Sequence, residues 1–159
     1  MSINTEKVKE FYEALSRNDY EALIRLYHPD ATYTDELFSF KGKEIHALWY
    51  AATRPAMKLE VECLAIEEVN DRVQTKWKMG YTLDVINSRI ELEEIGIFVF
   101  EGEKIMEHSD EYNFREWCTQ AFGIIGTLLG WSSWLRNRVR KQARKSVLIH
   151  MYSSQAGNQ

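Results

Sequence analysis

Cysteine, proline and glycine are scarce in this chain: 2, 2 and 8 of 159 residues. So little proline and glycine excludes collagen-like and low-complexity disordered classes. The two cysteines, Cys63 and Cys118, are far apart and match no metal or redox spacing, which predicts buried free thiols in a reducing compartment. The opening, MSINTEKVKEFYEAL, has no apolar core of the kind a signal peptide needs, so the expected location is the cytoplasm. Acidic residues are missing from Trp117 onward, while six cations fall between Arg136 and Lys145. That segment therefore carries +6 and the rest −10, against −4 for the whole chain. An acidic body argues against nucleic acid as a partner.

What is present is a globular composition, 45% hydrophobic and 28% charged, with 13% aromatic residues, in a length suited to one domain with an appendage. Val8, Phe11, Tyr12 and Leu15 recur at helical spacing. Asp19 is suited to cap a second helix that buries Tyr20, Leu23, Ile24 and Tyr27 and stops at His28-Pro29. A short strand, Ala31 to Leu37, and a third helix from Gly42 to Arg54-Pro55 follow. The period then changes to that of strands: Leu59 to Val69, Arg72 to Thr82, Arg89 to Phe100, and Lys104 to Phe114 after the turn Glu101-Gly102-Glu103. Helices followed by a curved antiparallel sheet make an α+β plan with the helices on one face.

This order, punctuated by VKEFYEALSRNDYEALIRLYHPDATYTD at 8–35, FKGKEIHALW at 40–49 and IGIFVFEGEKIMEHSDEYNF at 95–114, resembles the nuclear transport factor 2-like superfamily, and its SnoaL-like branch most closely. The resemblance implies a cone-shaped α+β domain over residues 1–115. In it a bent antiparallel sheet wraps a long helix and encloses a pocket, and residues 116–159 form a basic, amphipathic helical extension with a frayed end. Ketosteroid isomerases, limonene epoxide hydrolase, scytalone dehydratase and polyketide cyclases share the fold, as do members without catalysis, so fold alone does not assign an activity.

Two carboxylates match the family's acid-base positions. Ala31-Thr32-Tyr33-Thr34-Asp35 is similar to the AT-x-x-D strand of the isomerases, and alternation places Ala31, Tyr33 and Asp35 on one face. A carboxylate in an apolar cavity moves toward general-base territory. Glu107-His108-Ser109-Asp110 is similar to the EHWD-type sequence of SnoaL-like cyclases, whose Asp is their acid/base. Here His108, Asp110 and Tyr112 share one face. The isomerase's oxyanion donors do not match, since its Tyr position falls on Phe11 and its acid position near Gly96. The hydrolase triad lacks its Arg-x-Asp, Arg72, Lys76 and Arg89 being the cations on the preceding strands.

The candidate catalytic residues are thus Asp35, Asp110 and His108, with Tyr33, Phe11, Trp49, Trp77 and Tyr112 as candidate pocket wall for a small hydrophobic molecule. Tyr81, Phe38 and Phe98 are further aromatics that either line the pocket or pack in the core. His28, His46, His108 and His150 have no ligand spacing, and no G-x-S-x-G, Walker loop or G-x-G-x-x-G occurs, so no metal and no cofactor is expected. Trp117 to Leu135 is uncharged but diluted by glycine and hydroxyl residues, which argues against a spanning helix. Trp131, Leu135, Val139, Ala143 and Val147 then repeat every fourth residue. Such an amphipathic helix either folds back over the cone mouth or a dimer partner, or makes peripheral contact with an anionic membrane through 131–147. Pairing of convex sheet faces, common in this fold, predicts a homodimer.

Overall fold

In the computed structural model, which describes residues 2–83, 86–129 and 132–156, helices α1 (Ile3–Ser16) and α2 (Tyr20–Leu26) open the chain. Ser2 caps α1 by accepting from the Thr5 amide, and Asp19 caps α2 by accepting from the Ala22 amide. The helical stripe Val8, Phe11, Tyr12 and Leu15 is buried as its spacing predicts. Strands β1 (Tyr27–Thr34) and β2 (Ser39–Lys41) follow, then α3 (Lys43–Ala52) and a 3₁₀ turn at Pro55–Met57. Four long strands complete the sheet: β3 (Glu60–Val69), β4 (Arg72–Leu83), β5 (Ser88–Glu101) and β6 (Lys104–Glu111). Two helices close the chain, α4 (Phe114–Leu129) and α5 (Ser133–Ala156), with Gly123 at φ 61° kinking α4.

The sheet runs β2-β1-β6-β5-β4-β3. It is mixed, which corrects the expectation of a wholly antiparallel sheet: β1 pairs parallel to β6, while the other ladders are antiparallel. The helical α3 and four strands, β2 to β5, separate β1 from β6, so their pairing is a crossover rather than a hairpin. Irregular registers at Cys63/Ala65, at Val99/Phe100 and between Tyr27 and Thr32 bend the sheet. The result is the cone-like α+β fold, an open curved sheet with helices against its concave face.

Four local expectations need correction. Tyr27 belongs to β1, not α2. The strand runs through Pro29 because that residue falls in the irregular stretch between Tyr27 and Thr32, where a missing amide donor costs no ladder bond. The three-residue β2 is too short to show a period. The last strand stops at Glu111, because Asn113 Oδ1 accepts from the Arg115 and Glu116 amides at 3.1 and 3.2 Å and starts α4 there. Cys63 is half-buried on the edge strand, whereas Cys118 is buried as expected. The helical pattern expected from Trp131 begins at Ser133; Trp131 and residues 157–159 lie outside the described residues.

Two apolar clusters form the interior. The larger centres on Phe11, packed edge-on to Tyr12, Trp49, Phe98 and His108. The smaller joins Ile90 and Leu92 of β5 to Phe114, Trp117 and Cys118 of α4. Among the described residues no helix is long and apolar enough to cross a membrane.

Candidate functional site

Between these clusters lies a cavity of about 210 Å³. Its polar floor is set by strand parity. On β6 the buried positions are Ile105, His108 and Asp110, and on β1 they are Tyr27, Ala31 and Tyr33. Parallel pairing puts Tyr33 opposite His108. The face that alternation assigns to each strand is therefore one shared face.

Tyr33 Oη lies 3.0 Å from Asp35 Oδ2 and 3.0 Å from Asp110 Oδ2. A phenol has a single hydrogen, so only one of these contacts can use it. Both are satisfied when Asp35 is protonated: its carboxyl O–H donates to Tyr33, and Tyr33 donates to Asp110. The other Asp110 oxygen is 3.2 Å from His108 Nε2, and His108 Nδ1 is 2.6 Å from the Tyr27 hydroxyl. With Tyr27 donating to Nδ1 and Nε2–H donating to Asp110, every hydrogen from Asp35 to Tyr27 is used once.

Burial is the main cause that raises Asp35, to about 7. The Phe38 and Leu37 amides, both 2.6 Å from Oδ1, pull the other way, and the charge of Asp110 adds to the rise. An acid near 7 exists in both forms at neutral pH, as proton transfer requires.

Asp35, Asp110, Tyr33, Trp49, Trp77 and Tyr112 all line the cavity. Two sequence candidates do not. His108 is 2% exposed and stands behind Asp110, with Phe98 stacked on its ring at 4.1 Å. Phe11 is fully buried in the core beneath. Tyr81 and Phe38 join the wall, whereas Phe98 is core. On the outer side of the sheet Lys76 pairs with Glu93 at 3.0 Å and Arg89 pairs with Glu60, so neither cation reaches the cavity. Among the described residues no three His, Cys, Asp or Glu are grouped to hold a metal ion.

Sequence reasoning missed Glu94. It is 3% exposed, lines the cavity, and has an Oε1 with no hydrogen-bond partner. Burial raises it well above the usual carboxyl range, and the charges of Asp110 and Asp35 add to that. A signal was available: Ile90, Leu92, Glu94, Gly96 and Phe98 share one parity on β5, so the only acid among them is on the buried face. The absence of an acid at Gly96 is thus offset by one two residues earlier on the same face. Gly96 itself leaves room for the site, since a Cβ there would come within 2.9 Å of Tyr12 Oη and 3.1 Å of Asp110 Oδ1.

The cover comes from α5, whose Ala143, Ser146 and Val147 line the cavity. Arg136 and Arg140 reach Glu36, Arg140 also donates to the Glu36 carbonyl, and Arg144 pairs with Glu44 and donates to the Ser39 carbonyl. This amphipathic helix therefore lies against the cavity through Ala143, Ser146 and Val147.

The SnoaL-like domain model matches residues 8–108, which hold β1 and most of the sheet. The chain belongs to the SnoaL-like domain family. No curated protein matches it. Its fold is similar to that of a nuclear transport factor 2-like protein of unknown function from Burkholderia pseudomallei. That match has a TM-score of 0.65 at 17% identity, over 77% of this chain and 99% of that one. It is also similar to a hypothetical protein with a ketosteroid isomerase-like fold from Catenulispora acidiphila, in complex with trimethylamine (TM-score 0.63, 21% identity, 73% and 92% covered). An LEH-like epoxide hydrolase from M. tuberculosis matches with TM-score 0.63 at 18% identity, over 84% and 95% of the two chains. At these identities the likeness is one of fold.

Proposed function

We propose that the chain binds a small hydrophobic molecule in the cone pocket and moves a proton on it with Asp35 and Asp110. The observation that carries this reading is the Tyr33 hydroxyl held 3.0 Å from both carboxyls at the wall of a cavity lined mainly by apolar and aromatic side chains. In a reaction of the isomerase, cyclase or dehydratase type, an ionised carboxyl takes a proton from carbon. The electron pair moves onto the adjacent carbonyl oxygen, which receives a hydrogen bond from the neutral acid or from Tyr33. The cavity volume is below the ~300–1,000 Å³ typical of drug-sized ligands, which fits a body of about one or two rings.

The test is solvent deuterium exchange into 2-tetralone, a two-ring ketone, followed by proton NMR. The wild type is expected to accelerate exchange over buffer, and Asp110→Asn to abolish the acceleration while 2-tetralone still quenches the pocket tryptophans. Binding without any acceleration by the wild type would make the chain a non-catalytic ligand-binding module of the same fold.

A second reading, contact with an anionic membrane surface, is favoured by one feature of the C-terminal helices. Ile124, Ile125 and Leu128 of α4 and Trp134 of α5 are 62–80% exposed. Arg138, Lys141 and Lys145 are exposed as well, and pair with no acid among the described residues. Co-sedimentation with phosphatidylserine vesicles that survives reversal of these three charges to Glu counts against it.

A further inference from the structure

Glu94 stands outside the hydrogen-bonded chain that joins Asp35 to Tyr27. Its Oε1 is a buried, unpartnered acceptor at the cavity wall. The indole Nε1 of Trp77, its cross-strand neighbour on β4, is also buried and unpartnered, and Trp77 lines the same cavity. Buried polar atoms are nearly always paired, so the unmet Glu94 acceptor at the wall of a ligand-sized cavity marks where a ligand's donor goes, whereas the Trp77 N–H, itself a donor, contributes its ring to the wall.

Charge narrows what that donor is. Three carboxyls line the cavity, Asp35, Glu94 and Asp110, against one cation, Arg54, whose Nε donates to the Ala51 carbonyl at 3.2 Å. Aromatic rings form much of the remaining wall. Ring quadrupoles and carboxylates attract the same kind of guest, a cation with an apolar body. The acids are not grouped as metal ligands, so an organic cation suits them better than a metal ion.

We infer that the ligand is a small organic ammonium ion whose N–H donates to Glu94 Oε1, near Asp35 and Asp110, while its ring packs among Trp49, Trp77 and Tyr81. This inference rests on the reading of the cavity as a small-molecule site and names the ligand class.

A cation placed there favours the ionised form of each acid, whereas burial alone favours the neutral form. Binding therefore expels protons. The titratable and charged groups around Glu94 are Tyr12 of α1, Tyr81 of β4, Tyr33 of β1 and Asp35 just after it, Asp110 and Tyr112 around the end of β6, and Arg54 after α3. Among the described residues, the C-terminal helices bring Trp117, Ala143, Ser146 and Val147 to the cavity.

The experiment titrates the protein with benzyldimethylamine and with its neutral carbon isostere isobutylbenzene, at about pH 8 and about pH 6, following quenching of tryptophan fluorescence. The amine is expected to bind about tenfold tighter than the isostere at the higher pH, with the preference shrinking at the lower pH. Glu94→Gln is expected to remove the preference while isobutylbenzene still binds. Equal affinities in the wild type, or a preference that Glu94→Gln leaves intact, would overturn the inference and leave the small-molecule reading standing. If Glu94→Gln does not fold, the wild-type ratio and its pH dependence decide the matter. Failure of both compounds to bind overturns the small-molecule reading together with this one.

Discussion

The floor of the cavity and its cover both depend on charged side chains, but in opposite surroundings. Asp110 on the floor is 3% exposed and hydrogen-bonded to His108 and Tyr33. Arg144 on the cover has 41% of its side chain exposed where it pairs with Glu44. Buried polar groups are costly to leave unpaired, so the floor is held in one arrangement. Exposed ion pairs contribute about 0–1 kcal/mol each, so the cover is attached by several weak links and by the apolar contact of Val147. The floor belongs largely to the segment shared with the SnoaL-like family, whereas α5 lies beyond it. Such a division suits a site in which the chemistry is fixed and access to it is adjustable.

The contrast can be broken most severely from beneath the floor. Phe11→Ala removes the ring against which Tyr12, Trp49, Phe98 and His108 pack, and is expected to cost about 3–5 kcal/mol in urea unfolding. A loss under about 1 kcal/mol would show that the floor does not rest on that cluster. Gly96→Ala forces a methyl toward Thr75, Tyr12 and Asp110 and is expected to cost about 1–3 kcal/mol by the same measurement.

The floor should also respond to pH. Burial raises Asp35 in the fold to about 7, well above the ordinary aspartate value. The native state therefore keeps a proton that the unfolded state has released across that window. Stability from this group is fully present below about pH 4 and falls as pH rises through about 7. Allowing for its partial exposure, the loss is about 1–3 kcal/mol. Glu94 acts in the same direction. Asp35→Asn is expected to be more stable relative to wild type at pH 8 than at pH 5, and a carboxyl ¹³C titration should place Asp35 near 7. A midpoint near 4 would remove it as a proton carrier at neutral pH.

The smallest effect belongs to the cover. Arg144→Ala is expected to cost about 0.5–1 kcal/mol and to speed hydrogen exchange in α5 while the sheet strands keep their protection. Uniform loss of protection in both regions would mean that floor and cover open as one unit.

Much of the floor was legible in the sequence because β-strand parity is a rigid rule. Tyr33 with Asp35 and His108 with Asp110 follow from counting by two. Glu94 follows from the same count, but it is embedded in a run of acids, Glu91, Glu93 and Glu94, that reads as a solvated face unless the apolar residues on its parity are traced. The link from Tyr27 to His108 was hidden because Tyr27 continues the helical spacing of α2, and only the parallel pairing of β1 with β6 draws it into the strand. Phe11 illustrates the limit of alignment, since its place on α1 is correct but its ring fills the core and not the cavity. The position of α5 depended on partners remote in sequence, Glu36, Ser39 and Glu44, which no local pattern reveals.

The parallel pairing of β1 with β6 also bears on the order in which the site comes into being. Tyr33 and Asp110 are 77 positions apart, and contacts of such long range form late because the intervening chain must first surrender its freedom. During synthesis, the segment carrying Tyr33 and Asp35 leaves the ribosome well before β5 and β6 exist. Until β6 docks, Asp35 is solvated and has the acidity of an ordinary aspartate. Its altered acidity is therefore acquired in the closing step of folding, and a chain stalled before β6 carries the residues of the site without its chemistry.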